Sequence, residues 1–218
     1  TIVIAIVVHA AAADAYPATV SDEPIATPKP MPCTARKKIT DAIFSDSAIA
    51  MEAIVKIKKA NENPNIKAIL FEINSPGGSA VASSNIAAAI KNANKTSISS
   101  ITEIGTSGAY WIASATDKIF ANKMSITGSI GVIGSYLEFS RLLDRYNITY
   151  QRLVSGRYKD IGSPLKEMNF DERLIIQSAL QKIHSYFVEE VALNRNLSIE
   201  FVNKILFIPF LLSQYFTE

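Results

Sequence analysis

Three short segments carry residues whose types and spacing could do chemistry. The first, Asn74-Ser75-Pro76-Gly77-Gly78-Ser79, closes a short apolar run, and its glycines free the backbone to aim N–H groups at an anion or an oxyanion. It lacks the Gly-Lys-Ser/Thr ending of a phosphate loop, and on pattern alone it is equally a plain tight turn. The second, Gly105-Thr106-Ser107-Gly108-Ala109-Tyr110, sets Ser107 at the start of a helical pattern among small residues that let a substrate backbone come close. The N–H of Gly108, next to a nucleophilic serine, would be placed to hold an oxyanion, and the helix dipole would add favourable potential. The plainer role for Ser107 is that of a helix N-cap, which serine fills very often. The third, Ser155-Gly156-Arg157-Tyr158-Lys159-Asp160-Ile161, offers Lys159, a residue type that composition alone would leave in solvent.

What the chain lacks narrows the chemistry. It has two histidines, His9 and His184, so a Ser-His-Asp triad would have to use one of them. His9 lies beside a small-residue run near the terminus, and His184 falls on a long amphipathic helical pattern where a structural role is expected. Hydrolysis here is therefore expected to proceed without histidine. The single Cys33, in a Pro-rich stretch, excludes an intrachain disulfide and a cysteine-based metal cluster. A net charge of +2 with only short basic runs, Arg36–Lys38 and Lys56–Lys59, gives no nucleic-acid surface.

The elements that must position these segments follow from periodicity. A length of 218 residues suits one α/β domain, and 48% hydrophobic residues are enough for a substantial core. Thr1–Val8 is β-branched and apolar but too short to span a bilayer; a buried strand, the end of a membrane anchor and a signal remnant all fit it, and the strand is preferred. Residues 10–38 hold five of the nine prolines and read as an extended, irregular segment. Ala48–Ala60 reads as a helix with the stripe Ala50, Ala53, Ile54 and Ile57. Lys67–Ile73 and Ser99–Ile104 read as buried strands, Ser79–Ala93 and Tyr110–Thr116 as helices, and Lys118–Ala121 as a further strand. Glu138–Arg145 is expected to be helical and Thr149–Val154 to be a strand. Asn169, with Glu172 three residues later, opens a long helix whose stripe is Ile176, Leu180, Ile183, Phe187 and Val191. Strand, turn and helix repeated in this way indicate an α/β fold with crossover connections. The apolar segment Ile205–Leu212 is interrupted by Pro209 and is again too short to span.

Taken together, Asn74–Gly78, Ser107–Tyr110, Thr127–Gly131 and Ser155–Asp160 resemble, in order and spacing, the motifs of the signal peptide peptidase A family over about Ile49–Leu197. These are serine peptidases of the ClpP/crotonase fold that use a Ser/Lys dyad. The resemblance implies Ser107 as nucleophile, Lys159 as general base and the backbone of Gly78 and Gly108 as oxyanion donors, with no metal or organic cofactor. It also implies peptide substrates such as signal peptide remnants, homo-oligomeric assembly and membrane association. The expected organisation is an N-terminal strand and Pro-rich segment over 1–38, a ClpP/crotonase-like peptidase domain over 39–204 and an apolar tail over 205–218 that departs from the family pattern. Two other readings compete, a crotonase-type acyl-CoA enzyme and a catalytically inactive scaffold that binds peptides.

The dyad makes a physical demand. A lysine with an ordinary pKa of about 10.4 is neutral in roughly one molecule in 2,500 at pH 7. To act as a base its ammonium form has to be disfavoured by burial.

Overall fold

The structure is a computed structural model that describes the backbone of residues 2–9, 37–39, 46–205 and 211–212, and side chains over 50–205. The prolines of segment 10–36, Cys33 and most of the apolar tail lie outside the described residues. The chain divides into two compact units, Thr1–Gly131 with Phe187–Glu218, and Val132–Tyr186.

The first unit is built on a sheet. Its strands are β1 (Ile2–His9), β2 (Lys37–Ile39), β3 (Ile66–Ser75), β4 (Thr96–Thr106), β5 (Lys118–Ala121), β6 (Ile126–Gly128) and β7 (Leu211–Leu212). The order is β2-β1-β3-β4-β6-β7, with β5 also paired to β4. All pairings are parallel except β6 with β7. Parallel neighbours need crossovers, and helices α1 (Asp46–Glu62), α2 (Ala80–Lys91) and α3 (Gly108–Ser114) follow β2, β3 and β4 in sequence. This is the α/β, strand-turn-helix architecture that the periodicity indicates. The β1 strand forms where the apolar run Thr1–Val8 predicts it, and it runs alongside β3 from Ile2↔Ile66 to His9↔Asn74.

Buried residues alternate along β3, where Ile69, Phe71 and Ile73 are each at most 1% exposed. They share a core with Ala53 and Ile57 of α1, Ile86 and Ile90 of α2, and the whole of α3. The pairing partners of β4 divide along its length: β5 follows Ile98–Ile101 and β6 follows Ile104–Thr106. The carboxyl ends of β3, β4 and β6 therefore come together, the place where α/β sheets form sites.

The second unit contains α4 (Ser140–Arg145) and the first part of α5 (Phe170–Arg195); α6 (Ile199–Ile205) follows α5 in the first unit. The expected helix at Glu138–Arg145 is shorter, and the expected strand at Thr149–Val154 does not form. Those six residues are exposed throughout, and no strand is present among the described residues of this unit to give them a ladder. A β-branched pattern without a partner strand has nothing to satisfy its backbone. The long helix does begin as its sequence indicates: Asn169 Oδ1 accepts from Glu172 N at 2.9 Å, and Glu172 Oε2 accepts from Asn169 N at 3.1 Å. Its stripe deepens along the helix, from half-buried Ile176, Leu180 and Ile183 to buried Phe187 and Val191.

Candidate active site

The first unit brings Ser107 and the two glycine turns together. The turn after β3 is stitched to the end of β4 by side chains: Asn74 Oδ1 accepts from Ile104 N at 3.2 Å, and Thr106 Oγ1 donates to Pro76 O at 3.1 Å. Within that turn, Ser75 Oγ accepts from Gly77 N at 3.1 Å. From the other side, Ser107 N donates to Gly128 O at 2.8 Å, which ties the start of α3 to the segment Thr127–Gly131. Three of the four sequence motifs thus meet at one end of the sheet.

Ser107 is held in an uncommon backbone conformation, with φ 52° and ψ −126°. For a residue with a side chain this costs on the order of 1–3 kcal/mol and persists only where the surroundings enforce it. Although Ser107 occupies the N-cap position, its side chain makes no capping hydrogen bond. The plain capping role is therefore not what the residue performs, and its half-buried hydroxyl is not committed to the helix.

The glycines are required by contact. A Cβ on Gly77, whose φ is +106°, would fall 2.8 Å from both Gly108 N and Ser107 Cβ. A Cβ on Gly108 would collide with Ser83 Oγ of α2 and would lie 3.4 Å from Gly78 N. Gly78 and Gly108 are therefore neighbours across the two turns. Among the described residues no acceptor takes either N–H. Two such donors beside a serine, one of them in the first turn of a helix, are an arrangement that can hold an oxyanion.

The helix behind Ser107 is locked from its far side. Trp111 stacks on Phe187 with ring centroids 4.4 Å apart and donates from Nε1 to Glu190 Oε2 at 2.5 Å. Asn194 donates to Ser114 Oγ, and Arg195 donates to Thr116 O. Tyr110 is fully buried, and that burial pushes its phenol above the ordinary tyrosine value, with Arg195 opposing. It stays neutral as part of the packing.

Lys159 lies in the second unit, on a loop between two glycines of positive φ, Gly156 at 100° and Gly162 at 78°. Turn hydrogen bonds from Lys159 N to Gly156 O, Ile161 N to Tyr158 O and Ser163 N to Asp160 O give the loop its shape. The Lys159 side chain is exposed, in contrast to the burial that a neutral lysine base demands. Its neighbour Asp160 is gripped by Arg152, with Nε to Oδ2 at 2.6 Å and Nη2 to Oδ1 at 2.8 Å. Lys166 Nζ lies 3.7 Å from Asp160 Oδ1 and 2.5 Å from Glu172 Oε1. The Arg152 hydrogen bond, reinforced by the charges of Arg152 and Lys166, brings the Asp160 carboxyl down to about 2. Lys166 does the same in direction for Glu172, whose side chain is 1% exposed.

Residues 89–206 match peptidase family S49. The chain belongs to that family, the signal peptide peptidase A family of serine peptidases. It is 36% identical over 155 residues to a protein of Enterococcus faecium named as a signal peptide peptidase SppA, covering 70% of this chain and 45% of that one. It is 28% identical over 155 residues to the chloroplastic serine protease SPPA of Arabidopsis thaliana, covering 70% of this chain and 23% of that one. With protease 4 of Haemophilus influenzae it is 29% identical over 158 residues, covering 68% and 25%. The chain spans about half or less of the length of these relatives. Among solved structures, a ClpP1 mutant from Listeria monocytogenes aligns with a TM-score of 0.48 at 16% identity, covering 72% of this chain and 71% of that one.

Sequence reasoning named Gly78 and Gly108 but passed over Gly77 and Ser83, whose roles are steric. Gly77 stands inside a motif that was read, yet only the packed turn shows why a side chain is forbidden there. Ser83 carries no signal in sequence. The Arg152, Asp160, Lys166 and Glu172 group was also missed, because spacings of eight, six and six residues in irregular chain predict no contact.

Proposed function

We propose that the chain is a serine endopeptidase that cleaves signal peptide remnants or other apolar peptides near a membrane, with Ser107 as nucleophile and Lys159 as general base. The observation that carries this reading is Ser107 itself: strained, released from capping, and beside the paired free N–H groups of Gly78 and Gly108. In the first step the Lys159 amine takes the Ser107 hydroxyl proton while Oγ forms a bond to the substrate carbonyl carbon. The Gly78 and Gly108 N–H groups hold the oxyanion. The C–N bond then breaks, and the Lys159 ammonium returns its proton to the leaving amine. Water, deprotonated by the same amine, hydrolyses the acyl-enzyme and restores Ser107.

Because Lys159 is exposed in a single chain, its desolvation has to come from bound peptide or from a second copy of the chain. Self-association and membrane attachment belong to the same proposal. Ile133, Leu137, Leu153 and Phe170 of the second unit are each more than 70% exposed, apolar side chains that such contacts could cover. Among the described residues no helix is long and apolar enough to cross a membrane.

The exposed lysine also favours a second reading, a peptide-binding scaffold without catalysis. Treatment of the full chain with a fluorophosphonate serine probe, followed by mapping of the modified peptide, separates the two. Labelling at Ser107 that disappears in Lys159→Met supports the peptidase. A wild-type chain that takes no label at Ser107 supports the scaffold.

A further inference from the structure

The residue after Lys159 is an acid, and this poses a problem for a lysine that must lose its proton. A carboxylate free to swing within about 4–6 Å of the amine would favour its ammonium form. The structure turns that carboxylate elsewhere. Both Asp160 oxygens are taken by the Arg152 guanidinium, and Lys166 Nζ lies 3.7 Å from one of them. Lys166 is itself held by buried Glu172, which is tied to Asn169 at the start of α5. Charges therefore alternate in sign along Arg152, Asp160, Lys166 and Glu172, and they sum to zero. Tyr150 lies near the Arg152 end, and on the other side of Lys159, Arg157 is held by Asp171 and rests over the Tyr158 ring. None of the ion pairs among the described residues includes Lys159.

We propose that Asp160 is a positioning residue for Lys159: the Arg152 fork and Lys166 use its carboxylate to anchor the lysine loop while keeping that charge from pairing with the Lys159 amine. Arg152 is suited to the task because a planar fork engages both carboxylate oxygens at once, which the point charge of a lysine cannot do. The arrangement gives the loop a rigid attachment to α5 without giving its functional amine a counter-ion. It rests on the dyad reading above.

The test measures the rate of fluorophosphonate labelling at Ser107 of the full chain between about pH 6 and pH 10, the range over which a perturbed lysine would lose its proton. Arg152→Met keeps the packing stem but frees Asp160. Its acid limb is expected to move up by about one pH unit, so that labelling is about tenfold slower within the limb and recovers near the alkaline end. Adding Asp160→Asn removes the freed charge and is expected to return the limb to its wild-type position, although the loop remains less firmly held. A purely structural role would lower the rate at every pH or lower the denaturant midpoint and leave the limb in place, and that result would overturn the proposal. If Arg152→Met does not fold, Asp160→Asn alone decides. Removing the carboxylate leaves the Arg152 and Lys166 charges uncompensated beside the loop, so a limb shifted down supports the assignment, and a limb that stays in place or shifts up refutes it. A wild-type chain without label at Ser107 removes the dyad itself, an outcome distinct from a normal wild-type limb that Arg152→Met fails to shift.

Discussion

The Ser107 region and the Lys159 region are held by different physics. Around Ser107 the site is made of backbone: strands in parallel register, turns packed so closely that a methyl group at Gly77 would strike Gly108 N, and a helix buried along its whole length. Around Lys159 no sheet is present among the described residues, and the loop is held by two positive-φ glycines and a row of ion pairs. A site made of packed backbone tolerates almost no added volume and is indifferent to pH. A loop held by charges tolerates changes of shape but responds to protons and to the loss of any one partner. In the proposed dyad the nucleophile, which needs fixed geometry, would have the first kind of support, and the base, which needs a controlled electrostatic setting, would have the second.

The largest effect is expected where the proposed dyad asks the two regions to act as a unit. Ser107→Ala and Lys159→Met should each reduce peptide cleavage by at least about 1,000-fold, and the double variant should be no worse than either single one. Cleavage of an apolar peptide, with denaturant midpoints recorded alongside, checks this. Retention of even a tenth of the activity in Lys159→Met would remove the lysine from the mechanism.

Next in size are changes to the packed side of the comparison. Gly77→Ala forces a Cβ into backbone at 2.8 Å and into an unfavourable φ. It should cost more than about 1 kcal/mol of stability and should weaken activity as well. Gly78→Val meets nothing within 4 Å and so adds no clash, although a φ of +159° strains any side chain there. Its stability loss should therefore be smaller than that of Gly77→Ala, while kcat falls roughly 100-fold through the disturbed oxyanion donor. Equal stability losses in the two variants would contradict the assignment of one glycine to packing and the other to the oxyanion.

Acid should act in the opposite order, on the charged side first. Asp160 and Glu172 have folded pKa values below their ordinary values of 3.8 and 4.5. Their stabilisation is thus complete above those ordinary values and is lost as pH falls through the folded ones, about 2 for Asp160. Hydrogen exchange of peptides from 150–175, corrected for intrinsic rates, should lose protection between about pH 4 and pH 2. The lone Trp111 lies in the first unit and reports on its packing. Its fluorescence should change only at lower pH, and simultaneous change would mean that charge does not set the acid limit of the second unit.

The same contrast explains what could be read before the structure. The sheet, the helices and the Ser107 turn were legible because burial with a fixed period and glycine at sharp turns both leave marks in sequence. The Asn169–Glu172 start of α5 was legible because its contacts are local. The Thr149–Val154 strand was misread because its pattern has the right residues but no partner strand, and pairing is not a local property. The burial demanded of Lys159 follows from chemistry alone, yet the chain by itself leaves the residue exposed. The grip on Asp160 could not be read at all, because long polar side chains reach across irregular loops without any period.

The smallest expected effect sharpens the comparison within the charged region itself. Arg157 and Arg152 both bind an acid, and in sequence they look alike. Arg157 meets Asp171 through a single contact at 3.0 Å, with side chains 75% and 53% exposed, whereas Asp160 beside Arg152 is only 11% exposed and is held at both oxygens. An exposed pair gains little Coulomb energy in high dielectric, spends rotamer freedom on two long side chains and is screened by salt. The Tyr158 ring, 5.1 Å from the Arg157 guanidinium, adds at most about 1 kcal/mol at so open a position. Arg157→Ala should therefore change stability by less than about 1 kcal/mol and leave the pH profile of Ser107 labelling in place, since Asp171 is not the acid next to the lysine. Stability in 1 M salt should be the same for wild type and variant. A tenfold loss of peptide cleavage in Arg157→Ala, with the pH limb unmoved, would show that this guanidinium meets the substrate, and it would extend the working surface of the second unit beyond Lys159.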